Sequence, residues 1–343
     1  MIDVPDPIRR IWQEGASDLF LLSQVSHAFN VLPLALETNG AAPKFWFPDY
    51  FCNGPLSKLR DSGAEIAFYP VDLNLRPDWA ACRAMAESGP PDVFALVHYM
   101  GSRSDIETAR AFCDEIGAKL LEDATQLLRP VDEIGSLGDF VCFSPRKFFD
   151  IPDGGLLIVR HAEDARRLAD MLGRVTRRTP PTLRWRVRRT KNALRNRLGL
   201  ERKRVTPLRQ IRLEDVRPEP QPFGEPFMSR IACKELAHAI DSGMLDEIVQ
   251  KRLRYQDEVR EFVGQWDDVS LLDKPSNSVA CWVGLTCHDP AHAQLVLDTL
   301  RRHGFPALPW PNQLPPEIHN REVHSQAIKL RSTTLIVPHA NKR

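Results

Sequence analysis

The 343-residue chain has no unbroken apolar run of the ~18 residues that a membrane span requires. Its opening stretch, MIDVPDPIRRIW, carries acids and prolines where a secretory signal would be apolar. Charge of one sign is not in excess: 46 Lys and Arg stand against 45 Asp and Glu, a formal net charge of +1 that gives no reason to expect nucleic acid as a bulk partner. Seven Cys include no CxxC pair, so they read as reduced thiols of a cytoplasmic protein, and no zinc-type ligand set stands out among the scattered His. No internal repeat is visible. What is left, 43% hydrophobic and 27% charged, is ample for one large domain and a smaller one.

From about residue 44, short apolar runs alternate with amphipathic ones. FWF (45–47), IAFY (66–69), VFALVH (93–98), KLLE (119–122), FVCF (140–143) and LLIV (156–159) read as strands, several of them apolar throughout. Between them, SDIETARAFCDEIGA offers a capping box (Ser104, Glu107) and aligns Ile106, Ala109, Phe112 and Ile116 on one helical face. This repetition predicts an α/β fold with a mostly parallel sheet and an active site at the carboxyl ends of its strands. The pattern breaks near residue 174, where RVTRRTPPTLRWRVRRTKNALRNRLGLERKR places Leu183, Val187, Leu194 and Leu198 on one stripe of a basic helix. A Pro-rich stretch, RPEPQPFGEP, follows as a linker. The large domain is therefore expected over 1–220, with the basic excursion at about 174–205. A small C-terminal α/β domain is expected over 221–343, with helices at roughly 229–264, a strand at VACWVGLT and a helix at DPAHAQLVLDTLRRHG.

Three features fall in order at strand ends: the acids of LLEDATQLL with Gln126 three residues beyond Asp123, then Lys147 after FVCF, then Asp-Gly-Gly at 153–155. A lysine followed by Phe148 and Phe149 and a Gly-Gly turn suits an amine held in place and partly desolvated so that it can react. A buried carboxylate beside it would suit pyridoxal phosphate, whose ring nitrogen needs an anion to stay protonated. Read singly, Asp123 could be a helix N-cap, Gln126 a surface amide, and Ser26 and Ser144 ordinary turn serines.

The set PDYFCNG (48–54), GAEIAFYPVD (63–72), HYMGSRSD (98–105), EDATQ (122–126), GDFVCFSPRK (138–147) and PDGG (152–155) resembles, in order and spacing, the DegT/DnrJ/EryC1/StrS family of sugar aminotransferases, pyridoxal-phosphate enzymes of fold type I. The likeness is dense over roughly 44–160 and looser through MSRIACKEL and KRLRYQDEV. It implies that Lys147 carries the cofactor as an imine and shuttles the proton, that Asp123 pairs with the pyridine nitrogen, and that Gln126 meets the phenolic oxygen. Ser144 and the helix start near Ser26 become candidates for the phosphate, Tyr50 and Phe51 for the ring, His98 and Arg230 for substrate. The chain departs from the family at Val25 and Cys142, where glycine and serine are usual, at Pro152 and Asp153 of the GEGG turn, and in lacking a clear NyR motif.

The resemblance further implies a homodimer and transfer of an amino group, typically from glutamate, to a keto-sugar on a nucleoside diphosphate, for surface polysaccharide or an antibiotic sugar. One alternative is a pyridoxal-phosphate sugar dehydratase, although such relatives carry His where this chain has Lys147. A non-catalytic sensor or scaffold is another. The basic excursion reads as a solvated surface, as a wall that draws a diphosphate, or as a contact for anionic lipid or nucleic acid.

Overall fold

A run such as Val93-Phe94-Ala95-Leu96-Val97, apolar at every position, needs a sheet covered on both faces. The structure, a computed structural model, describes residues 3–339 apart from 37, 39, 177, 198–211, 217–223, 273–278 and 319. Its elements are α1 (Asp6–Trp12), β1 (Asp18–Leu22), α2 (Ser26–Ala35), β2 (Lys44–Pro48), α3 (Asn53–Asp61), β3 (Glu65–Tyr69), α4 (Trp79–Ser88), β4 (Val93–Val97), α5 (Ile106–Ile116), β5 (Lys119–Asp123), β6 (Phe140–Phe143) and β7 (Gly155–Val159). There follow α6 (Ala162–Arg174), α7 (Leu183–Arg197), α8 (Arg230–Asp241), α9 (Met244–Val263), β8 (Val269–Leu271), β9 (Trp282–Cys287), α10 (Pro290–Arg302), β10 (Leu308–Pro309), α11 (Ser325–Thr333) and β11 (Thr334–Pro338).

Seven strands form one sheet in the order β1-β7-β6-β5-β4-β2-β3, with every pairing parallel except the two made by β7. All six expected strands are present. The sheet gains β1 as well, a short edge partner of β7 that the alternating strand–helix pattern does not announce. Side chains alternate between two cores: Phe140, Cys142, Leu157 and Val159 enter one, and Val141, Phe143, Leu156 and Ile158 the other. A second, antiparallel sheet, β10-β11-β9-β8, has its own core with α9 and α10. The boundary expected near 220 lies outside the described residues, as does Leu198 of the basic stripe. Beyond that boundary, α8 packs Ala232, Cys233 and Leu236 onto the large sheet's second core.

Two details differ from expectation. Ser104 does not cap α5; its hydroxyl donates to the Val97 carbonyl at 2.6 Å, and Glu107 pairs with Arg103, because the residue at the cap position is Asp105. The Gly-Gly turn also works through close approach as much as through conformation. Gly154 sits at φ +151°, whereas a Cβ on Gly155 would fall 2.6 Å from the backbone of Gln24 and Val25. Glycine at 155 thus lets the chain leading into α2 lie directly on β7.

Asp139 ties three layers together. One oxygen accepts from the Arg110 guanidinium of α5 at 2.8 Å and from the Leu120 N–H of β5 at 2.7 Å, while the other meets His161, just before α6, at 2.8 Å. Burial acts to raise its pKa, but the Arg110 hydrogen bond and the Leu120 N–H outweigh that and hold it below the ordinary 3.8. A depressed carboxylate contributes stability that is present above 3.8 and lost as pH falls through the lower, folded value. Asp139→Asn should therefore cost about 3 kcal/mol near neutral pH, with the difference from wild type shrinking as the pH drops below the ordinary aspartate range. Urea unfolding of both proteins across that range checks this.

Candidate active site

Because β4, β5 and β6 run parallel in register, their carboxyl ends open on one edge, with Val97 opposite Asp123 and Asp123 opposite Cys142. Asp123 ends β5 and is buried, and its Oδ1 accepts the Thr125 N–H at 3.0 Å. Lys147 closes a short 3-10 turn, Pro145–Lys147, beyond β6. Its Nζ lies 3.3 Å from Thr125 Oγ1 and 5.4 Å from the centre of the Trp282 ring. A carboxylate and a half-buried amine thus converge on one residue, Thr125.

The second sheet supplies the roof. Residues 279–281 run alongside 126–128, with Leu128 N–H bonded to Val279 O at 3.0 Å and Cys281 N–H to Gln126 O at 2.9 Å, and so deliver Trp282 over the site. The Gln126 amide oxygen accepts from Met100 N–H at 2.8 Å and from the Trp282 indole at 3.2 Å, which leaves the NH2 as the end able to donate elsewhere. Tyr50 is fully buried, donates to the Trp310 carbonyl at 2.5 Å and stacks edge-on to that ring at 5.3 Å; burial drives its pKa upward, so it acts as a neutral phenol. Trp282 and Trp310 are 6.0 Å apart and Tyr99 is 6.0 Å from Trp310, giving an aromatic wall beside the amine.

The other sequence candidates have contacts of their own. Phe51 packs against Phe47 at 4.9 Å and Phe29 at 6.4 Å, on the α2 side of the sheet, since it points opposite to its neighbour Tyr50. His98 accepts the Ser104 N–H on Nδ1, which places its proton on Nε2, aimed at Glu122 Oε2 at 2.9 Å. Glu122 also gathers the N–H groups of Gly135, Leu137 and Gly138, so this buried pair braces the loop before β6. Arg230 is exposed at the first turn of α8. Ser26 begins α2, as expected, with its hydroxyl 3.4 Å from Gln24 Oε1, and Ser144 lies buried just before the lysine turn. Gly154 joins these two segments: its N–H donates to Ser23 O at 2.7 Å, and a Cβ there would lie 3.7 Å from Arg146 N. His288 and His292 stack at 4.7 Å with HxxxH spacing that the sequence reading passes over, but no group of three His, Cys, Asp or Glu among the described residues gathers to hold an ion.

Three contributors escape local sequence reasoning: Thr125, Trp282 and Arg252. The last is 5% exposed, stacks on Phe148 at 4.6 Å and donates to the carbonyls of Lys147 at 3.0 Å and Phe148 at 3.5 Å. Burial pushes its pKa down to about 10. Arg252 Nη1 and Gln256 Oε1, one turn apart on α9, are both buried without a hydrogen-bond partner among the described residues. The only signal for Arg252 in the sequence is its place in KRLRYQDEV.

The residues fit pyridoxal phosphate at its reactive end, where the amine and the carboxylate meet at Thr125 and the nearby Gln126 keeps its NH2 for donation. At the phosphate end the fit is with hydroxyls and the start of α2, in place of the usual glycine and serine. The large mostly parallel sheet with its smaller antiparallel companion is the α/β fold of the fold type I class. Residues 62–183 match the model of the DegT/DnrJ/EryC1/StrS aminotransferase family. Comparison with curated protein sequences gives no match. Among solved structures, a DegT DnrJ EryC1 StrS aminotransferase from Brucella abortus superposes with TM-score 0.64 at 16% identity, covering 97% of this chain and 85% of its own. DesI, solved in the presence of its TDP-sugar product, gives 0.65 at 18% identity, covering 98% and 80%. NtdA from Bacillus subtilis, with bound cofactor PMP, gives 0.62 at 14%, covering 94% and 69%.

Arg252→Met should leave the Lys147 and Phe148 carbonyls without their donor and cost roughly 1–3 kcal/mol. It should also lower kcat more than the donor's KM, because the lysine turn loosens while the pocket stays. Arg252→Lys should restore part of both. Denaturant unfolding beside steady-state kinetics checks the pattern.

Proposed function

We propose that this protein is a sugar aminotransferase that moves an amino group, typically from glutamate, onto a keto-sugar carried on a nucleoside diphosphate. The observation that carries the reading is the meeting of Lys147 Nζ and Asp123 Oδ1 on the two ends of Thr125. When bound, pyridoxal phosphate supplies an electrophilic aldehyde and an electron-withdrawing pyridinium ring.

The chain's own groups do the rest. Lys147 Nζ would hold the cofactor through its aldehyde carbon and, as a free amine, would take the proton from the donor's α-carbon and return it at the product side. The Trp282 face stabilises that nitrogen whenever it is an ammonium. Thr125 Oγ1 fixes its direction. The Asp123 carboxylate would keep the pyridine nitrogen protonated, and the Gln126 NH2 would be free to donate to the phenolic oxygen. Ser26, Ser144 and the first N–H groups of α2 take the phosphate, a role suited to a helix N-terminus. Tyr50, fixed on Trp310, would pack against the ring.

DesI was solved with a TDP-sugar product and shares this fold, which supports a nucleotide-linked sugar as the amino acceptor. The homodimer, the cytoplasmic location and a role in polysaccharide or antibiotic-sugar synthesis belong to the same proposal. Among the described residues no helix is long and apolar enough to cross a membrane. The altered phosphate loop, Gln24-Val25-Ser26, is the one observation that favours the non-catalytic alternative.

Borohydride treatment of the purified holoenzyme should fix cofactor mass on the peptide that contains Lys147, and Lys147→Ala should show none. Asp123→Asn should keep that attachment yet lose roughly 10²–10³-fold in kcat with glutamate as donor. Attachment without turnover of any amino donor would favour the sensor, and no attachment at all would refute both.

A further inference from the structure

Helix α7, LRWRVRRTKNALRNR, carries seven cations and no acid, although the whole chain is nearly neutral. Its side chains are sorted around the axis. At about 100° per residue, Leu183, Val187 and Leu194 fall within about 40° of one another, and Trp185 lies on the opposite side. Trp185 is the buried residue: its indole donates to Asp150 Oδ1 at 3.1 Å, and Arg188 joins the same carboxylate oxygen at 2.8 Å. Arg189 pairs with Glu235 of α8. The helix is thus fastened to the body by its Trp185 side.

The aliphatic stripe consequently faces outward. Leu183 is 70% exposed, Val187 45% and Leu194 57%, the reverse of a stripe that serves a core. Arg184, Lys191 and Arg195 flank it on one side, Arg186 and Arg197 on the other. None of these five makes an ion pair with a described residue. Arg186 and Arg197 also line a groove of about 540 Å³ against Ile231 of α8. Aliphatic residues along the middle with cations on both flanks form the surface pattern of a helix lying in a lipid interface, where long basic side chains reach headgroups while the stripe enters the acyl boundary.

We infer that α7 docks the protein on a membrane surface bearing anionic headgroups, with Leu183, Val187 and Leu194 inserted and the five flanking cations on the headgroup phosphates. Charge complementarity selects this occupant, since a second copy of α7 would bring seven more cations against the same face. Nucleic acid would answer the charges but leave the aliphatic stripe without a role. Each cation near an anionic surface adds to binding and is screened within a Debye length, so adsorption is salt-sensitive and reversible. The inference is independent of the chemistry proposed for Lys147.

Flotation of the full-length holoenzyme with vesicles tests it. The protein should float with phosphatidylcholine vesicles containing phosphatidylglycerol, stay behind with pure phosphatidylcholine, and detach as salt is raised. The double substitution Val187→Asp, Leu194→Asp should weaken binding at least about tenfold, while the unfolding midpoint and borohydride attachment stay as in wild type. Failure of the wild type to float with the anionic vesicles would overturn the inference. So would undiminished flotation of the double variant, or a fall in its mass by light scattering, which would give the stripe to an interface between copies.

Discussion

Thr125 is the joint on which the site depends. Its backbone N–H belongs to Asp123 and its hydroxyl to Lys147, so one residue sets the relation between a buried carboxylate and an amine that arrives from the next strand. Opposite charges brought out of water are costly unless their remaining valences are met, and a rigid short connection limits how far either can stray. Everything upstream serves that geometry. The parallel register of β4, β5 and β6 brings the strand ends level, and the Glu122–His98 pair anchors the loop that leads into β6. Glycine at 155 lets the segment before α2 close down on β7, carrying Ser26 toward the lysine turn.

The pair Lys147 and Asp123 was legible because a strand end in a parallel sheet has a local signature: an apolar run, then acids or a turn. The residues that complete the site have none. Trp282 lies 135 positions beyond Lys147 and Arg252 lies 105 beyond it, on elements whose own patterns describe only a strand and a helix. His98 was open to misreading for the same reason. A histidine at a strand end looks poised for a ligand until its partner, Glu122 on the neighbouring strand, is seen. Phe51 shows the limit of motif alignment, since adjacent residues after a strand face opposite sides and only Tyr50 turns toward Trp310.

Helical period offers a related lesson in α7. It identified which aliphatic residues share a face, and the structure agrees for Leu183, Val187 and Leu194. Period alone says nothing about whether that face looks inward. The deciding residue is Trp185, whose indole found Asp150 and turned the opposite side to solvent. A large aromatic with one polar handle makes a better anchor than three separate aliphatics when the surface offered is a carboxylate at a loop.

Asp150 connects these themes. It stands three residues beyond Lys147, in the loop whose inner wall Arg252 supports through the Lys147 and Phe148 carbonyls. The lysine turn is therefore held from two directions: from α9 by a buried guanidinium, and from α7 by an indole and a second guanidinium on Asp150. Of these, the Arg252 contact is shielded from water and keeps its strength at any ionic strength, while the Arg188–Asp150 pair is half exposed and weakens with salt. The turn that carries Lys147 thus has one permanent brace and one that responds to the surroundings of α7. A surface that neutralised the cations of α7 would act on the second brace alone, which leaves the position of Lys147 to Arg252.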